Sequence, residues 1–230
     1  MGTGYRRRFA VLILCAALPW ALVGAAETTR LAAESPGTVL FFGNSITAGL
    51  GVRPDASFPA LIQRRIDAER LPFKVINAGL SGETSAGGLR RIDWLLQQRV
   101  DLLVIELGAN DGLRGISLMA TRKNLQGIID RARAAHPRAH IVLAGMQIPP
   151  NLGPEYTSVF RSLFPELAKA NSTLLIPFLL QGVGGIEALN LADGIHPNPE
   201  GHRRVAQNAW EILAPVLRGI GASGAATLEK

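Results

Sequence analysis

The chain of 230 residues contains one cysteine, Cys15, and that residue lies inside the first apolar run. With the leader set aside no thiol remains, which excludes both a disulfide framework and a thiolate metal site. Aromatic residues are scarce at 6% and charged residues amount to 18%, with no basic stripe along any segment. A nucleic-acid-binding surface needs such a stripe, so no nucleic-acid partner is expected. Histidine is equally sparse. His136 stands before Pro137 at a helix end, His140 opens a strand, and His202 precedes Arg203 and Arg204 and is expected on an exposed helical face. None of these three is assigned a metal or a catalytic task. Neither Gly-x-Gly-x-x-Gly nor a Lys-Ser/Thr loop occurs over residues 43–51, so the usual phosphate cradles are missing. No metal or other cofactor is called for.

The beginning of the chain is distinctive. Arg6, Arg7 and Arg8 precede an apolar run over residues 9–23, followed by Gly24, Ala25 and Ala26. A positive start, a short apolar stretch and small residues describe a secretory signal peptide over residues 1–26, cleaved after Ala25 or Ala26. The run is shorter than the roughly 20 residues a spanning helix needs, so no stable membrane anchor is expected after cleavage. Leu14, not a small residue, precedes Cys15, which argues against lipidation. The expected product is a periplasmic or secreted bacterial monomer. Without the three arginines, the 24 basic residues fall to 21 against 18 acidic, and the net charge drops from +6 to +3.

Short β-branched or apolar runs alternate with helical periodicity through the rest. Strands are predicted over residues 38–42, 73–77, 102–107, 140–145 and 174–176. Apolar spacing marks helices around Leu61–Ile66, Leu89–Leu96 and Leu125–Ala132, and over about 156–170 and 199–217, with a frayed Gly- and Ala-rich tail after about 218. Five strands separated by helices imply an α/β fold, a three-layer α/β/α sandwich on a five-stranded parallel sheet, flavodoxin-like, in one domain over residues 27–230. In such a fold, loops leaving the carboxyl ends of the strands carry the chemistry.

Three strand ends and one later turn fit that expectation. The first strand runs into Gly43-Asn44-Ser45-Ile46-Thr47-Ala48-Gly49, where a serine directly after a buried strand can project its hydroxyl. The second ends in Asn77-Ala78-Gly79-Leu80-Ser81-Gly82-Glu83-Thr84, whose glycines permit the N–H of Gly82 to face a ligand. The third leads to Gly108-Ala109-Asn110-Asp111-Gly112, where Asn110 offers a side-chain amide to an oxyanion. Each alone also fits an ordinary turn or helix cap. Asp193 and His196, three apart before the last helix, can meet locally, and a nucleophilic serine needs an imidazole held in one tautomer by a carboxylate.

Gly43-Asn44-Ser45-Ile46, Gly82, Gly108-Ala109-Asn110-Asp111 and Asp193-Gly194-Ile195-His196-Pro197 together resemble the four blocks of the SGNH, or GDSL-type, hydrolases, in the same order. Ser81-Gly82-Glu83-Thr84, Glu106-Leu107-Gly108 and residues 146–151 are most similar to its branch of periplasmic thioesterases, arylesterases and lysophospholipases. The resemblance implies Ser45 as nucleophile, His196 as base and Asp193 as its orienting carboxylate. It implies an oxyanion hole of the Ser45 and Gly82 N–H groups and the Asn110 amide, acting on a small acyl ester or thioester. Asn44 stands where the family usually has Asp. The segment over residues 147–156 should wall the acyl site, with Gln147, Ile148, Pro149 and Leu152 as contacts. Its prolines make it stiff and its apolar residues suit acyl or aryl groups better than sugars. A carbohydrate O-acetylesterase and a non-catalytic phosphate-binding module remain alternatives.

Overall fold

The computed structural model describes Met1 and residues 36–228, those after 222 as backbone alone. Apart from Met1, the expected signal peptide over residues 1–26 lies outside the described residues.

Val39, Leu40, Phe41 and Phe42 form an uninterrupted apolar run, and all four are fully buried. Such a run suits a strand covered on both faces. It forms β1 (Gly37–Gly43), an interior strand of a parallel sheet. On one side β1 pairs with the edge strand β2 (Phe73–Gly79), and on the other with β3 (Leu102–Glu106). β4 (His140–Ala144) and β5 (Leu174–Ile176) follow outward, so the order is β2-β1-β3-β4-β5. Leu102–Ile105 of β3 is as buried as β1, while the edge strands expose Lys74, Asn77 and Leu174. The expected α/β architecture and all five strands are present, their ends differing from expectation by one or two residues.

Two one-turn helices, α1 (Ser45–Ala48) and α4 (Ala109–Leu113), sit directly on the ends of β1 and β3. The longer helices are α2 (Phe58–Ala68), α3 (Ser85–Leu95), α5 (Leu118–Ala135), α6 (Pro154–Asn171) and α7 (Pro199–Leu228). α2 packs against α7, whereas α3, α5 and α6 pack in succession on the other side. Apolar spacing explains this: Phe160, Leu163, Phe164 and Leu167 put one stripe of α6 into the core. Phe58 of α2 meets Phe41 edge-on at 5.3 Å between ring centres. Helix α7 extends past residue 218, where fraying was expected, to Leu228.

The chain order 2-1-3 reverses direction at β1, since β1 leads to β2 on one side and β3 follows on the other. That reversal opens a crevice at the carboxyl ends of β1, β2 and β3. Close approach there is extreme. A Cβ at Gly79 would sit 2.2 Å from Ala48 N and 2.6 Å from Ala48 Cα, backbone atoms that cannot swing aside. Gly79→Ala should therefore lower unfolding stability by about 1–3 kcal/mol through overpacking. A urea midpoint equal to that of the parent would refute this packing constraint.

Candidate active site

Asn44 caps α1, its Oδ1 accepting from Ile46 N at 3.1 Å. Ser45 is the first residue of that turn and is nearly buried. Its Oγ lies 2.9 Å from His196 Nε2, and the other ring nitrogen, Nδ1, lies 2.7 Å from Asp193 Oδ2. A neutral imidazole that donates from Nδ1 to the carboxylate presents a bare Nε2 to the serine hydroxyl. The carboxylate is itself oriented, because Asp193 Oδ1 accepts from Ile195 N at 2.9 Å and His196 N at 3.0 Å. The His196 and Ile195 backbone donors and the imidazole hold the Asp193 carboxyl down at about 2, so it remains charged throughout the neutral range.

A tight loop delivers this pair. Leu191 N donates to His196 O at 2.7 Å and Asn198 N to Leu189 O at 2.9 Å, closing residues 189–198 into a narrow antiparallel turn. Asn198 then caps α7, accepting from Glu200 N and Gly201 N at 3.0 Å each.

The loops after β2 and β3 are tied to the same edge. Leu80 N donates to Gly43 O at 2.9 Å, and Gly82 follows in a turn with φ +78°. One N–H of the Asn110 amide donates to Glu83 O at 3.0 Å, which sets the plane of the amide and leaves its second N–H for a ligand. Among the described residues, the backbone N–H groups of Ser45 and Gly82 have no acceptor. Asp111 fastens the arrangement from below, accepting from Ser85 N at 2.8 Å, Ser85 Oγ at 2.5 Å and Thr121 Oγ1 at 3.3 Å. Arg91 braces the β2 loop through an ion pair with the buried Glu83 and a 2.8 Å bond to Ala78 O.

Beside Ser45 lies a cleft of about 380 Å³. Ile46, Ala109 and Ile195, the chain neighbours of Ser45, Asn110 and His196, are among its lining. Met146, Gln147, Ile148 and Pro149 form one wall, as the segment after β4 was expected to do for three of them. Leu152 does not: the 3₁₀ turn Pro150–Leu152 carries it away, and it is 40% exposed outside the lining. The opposite wall was missed in the sequence. It is Phe178, Leu180, Gly184 and Gly185, from the loop leaving β5, which Asn190 and Asn208 hold by bonds to Val183 O and Leu179 O. The rule that loops at carboxyl ends carry function applied to β5 as much as to the other strands.

Two further buried groups were not read as such. Glu106 ends β3 with no exposure, and its carboxylate lies beneath α1. His202 is not on an exposed face; it is 1% exposed, stacked on Phe58, with Nδ1 accepting from Phe58 N at 3.2 Å. The first turn of α7 points inward because α2 packs across it. Among the described residues, no group of three His, Cys, Asp or Glu could hold a metal ion, and no helix is long and apolar enough to cross a membrane.

A buried serine, a partly buried imidazole and a half-exposed carboxylate in series beside an apolar cleft, on a five-stranded parallel sheet, define a hydrolase of the SGNH type. The model of the GDSL-like lipase/acylhydrolase family matches residues 41–204, and the chain belongs to that family. It is by class a serine esterase or thioesterase. Esterase TesA of Pseudomonas aeruginosa is 42% identical over 181 residues, 78% of this chain and 89% of its own length. The thioesterase 1/protease 1/lysophospholipase L1 of Escherichia coli is 35% identical, over 83% of this chain and 88% of its own. The crystal structure of the psychrotrophic esterase EstA from a Pseudoalteromonas species, inhibited by monoethylphosphonate, is similar with a TM-score of 0.74 at 34% identity. It covers 79% of this chain and 99% of that one.

Burial, with a smaller contribution from His196, pushes His202 down to about 4 from an ordinary 6.5. The folded state thus disfavours its proton, and the stability it contributes is present above 6.5 and lost as pH falls toward 4. Glu106, pushed up by burial to about 7, acts with the opposite sign over much of the same window. His202→Gln should abolish the acid loss due to the imidazole, a difference of about 2 kcal/mol between pH ~7 and ~5. Urea titrations of both proteins at the two pH values measure it, and equal falls in parent and variant would disprove the assignment.

Proposed function

We propose that this enzyme hydrolyses esters and thioesters of apolar acyl groups through an acyl-enzyme on Ser45. The reading rests on one observation: His196 Nε2 stands 2.9 Å from Ser45 Oγ while Nδ1 stands 2.7 Å from Asp193. His196 takes the hydroxyl proton as Ser45 attacks the acyl carbon, and returns it to the leaving alcohol or thiol. It then activates a water that releases the acid. Asp193 fixes the tautomer and stabilises the imidazolium. The N–H groups of Ser45 and Gly82 and the second N–H of Asn110 receive the developing oxyanion.

The cleft supports an apolar acyl group. Among the described residues Gln147 supplies the one polar side chain in its lining, too little to hydrogen-bond the hydroxyls of a sugar. The similar proteins support it too: one is named an esterase, another a thioesterase and lysophospholipase, and EstA is described as inhibited by a phosphonate. A phosphonate on a nucleophilic oxygen mimics the tetrahedral intermediate. Residues 1–26 support export to the periplasm or beyond, after cleavage following Ala25 or Ala26.

A fluorophosphonate should label Ser45 in the parent and leave Ser45→Ala unlabelled and without esterase activity. Asn110→Ala should lower kcat by about 10²–10³ on nitrophenyl esters. A normal turnover number in that variant would remove Asn110 from the oxyanion hole. Gly184 lines the cleft, and a Cβ there would make ordinary contacts, 3.5 Å to Phe178 and 3.7 Å to Leu180, so a larger side chain folds but fills the site. Gly184→Leu should shift preference toward shorter acyl chains in a nitrophenyl ester series. An unchanged chain-length profile would place the acyl group elsewhere.

A further inference from the structure

Glu106 is a fully buried carboxylate that no cation faces among the described residues. Burial pushes it up to about 7, and only the donors of Thr47 and Asn44 pull the other way. Burying an unpaired carboxylate is costly, and an apolar residue would serve the fold better. All four of its donors come from the two residues on either side of Ser45 and Ile46. Oε2 accepts from Asn44 N at 3.0 Å, Thr47 N at 3.3 Å and Thr47 Oγ1 at 2.7 Å, and Oε1 accepts from Asn44 Nδ2 at 2.7 Å. A four-residue helix does not hold itself together, because nucleation costs more than one turn returns. The carboxylate supplies the missing clamp. Gly43 makes room for it, since a Cβ there would lie 2.6 Å from Glu106 Oε2 and 2.1 Å from Thr47 Oγ1.

The network also fixes which way the Asn44 amide faces. Its Oδ1 accepts from Ile46 N at 3.1 Å, while Nδ2 meets two acceptors, Glu106 Oε1 and, at 3.4 Å, Glu106 O. An Asp in its place would set carboxylate oxygen against carboxylate oxygen at that 2.7 Å contact. The two could then coexist only by sharing a proton.

We propose that Asn44 and Glu106 are a single positioning unit for Ser45, in which the amide's permanent hydrogen holds the buried carboxylate and the carboxylate holds the nucleophile turn, with no proton borrowed from solvent. This rests on Ser45 being the nucleophile. The pairing is reversible in principle, because exchanging the two groups in Asn44→Asp/Glu106→Gln presents the same hydrogen from the other side. In that double variant the new amide on β3 donates from its Nε2 to the new carboxylate on the turn. Its Oε1 still accepts from the backbone N–H of residue 44 and from Thr47. Glu106→Gln alone opposes donor to donor, or turns Asn44 over and leaves Ile46 N uncapped.

The test compares the parent, Asn44→Asp, Glu106→Gln and the double variant Asn44→Asp/Glu106→Gln on a nitrophenyl ester, with kcat and KM measured across pH. Glu106→Gln should lose at least tenfold in kcat with KM within about threefold, and the double variant should regain at least tenfold over it. Asn44→Asp should stay active at low pH and lose rate as pH rises and the shared proton leaves, a falling limb absent from the parent and the double variant. The titratable group meeting this turn from another element is His196, through Ser45. Fluorophosphonate labelling of Ser45 in the parent separates the two readings: without it the nucleophile assignment fails. With it, an unimpaired Glu106→Gln, a double variant no better than Glu106→Gln even if that variant is unfolded, or a flat Asn44→Asp profile overturns the pairing.

Discussion

The hydrogen bond between His196 Nε2 and Ser45 Oγ joins residues 151 positions apart, and every chemical property of the site depends on that meeting. Neither partner moves freely. Ser45 rides on a turn clamped between β1 and β3, while His196 rides on a loop closed by its own backbone and anchored to the first turn of α7. Parallel strands make this possible because they all point their carboxyl ends the same way. Loops that are distant in the chain thus leave the sheet at one edge, and the order reversal at β1 leaves room between them.

Buried polar groups divide the work of holding those loops. Glu106 grips the Ser45 turn, Asp111 grips the start of α3 from the loop after β3, and Arg91 with Glu83 braces the turn that carries Gly82. Each is hydrogen-bonded on several sides, which is the condition for a polar group to sit in a core at tolerable cost. The carboxylates of Glu106, Asp111 and Glu83 are more buried than Ser45, His196 and Asp193, the groups whose loops they hold. Asp193, by contrast, is half exposed, and short backbone bonds orient it where burial does not.

The architecture was legible from residues 38–42, 102–107 and 140–145, because strands covered on both faces read as unbroken apolar runs. The edge strands were legible too, for their neighbours' spacing left little else between the helices. Ser45, Asp193 and His196 stood out because their motifs are local: a serine after a buried strand, and a carboxylate three residues before a histidine. His202 misled because its neighbours Arg203 and Arg204 are charged, yet a helix turns by about 100° per residue and adjacent side chains face different ways. Leu152 misled for a related reason. An apolar residue in the right segment was taken for a wall of the cleft, but the 3₁₀ turn rotates it outward.

What the chain determined locally was its alternation of strands and helices, the short-range Asp193–His196 pair, and the family to which its four blocks belong. What only the tertiary structure decided was which groups touch across the sheet. The second wall of the cleft from the β5 loop, the unpaired carboxylate of Glu106 under Ser45, and the imidazole of His202 against Phe58 all join segments far apart in the chain. Periodicity and motif spacing record what a residue does with its near neighbours. The hydrogen-bond partner of a buried group is set by strand order and register, and a single chain carries no spacing that encodes it.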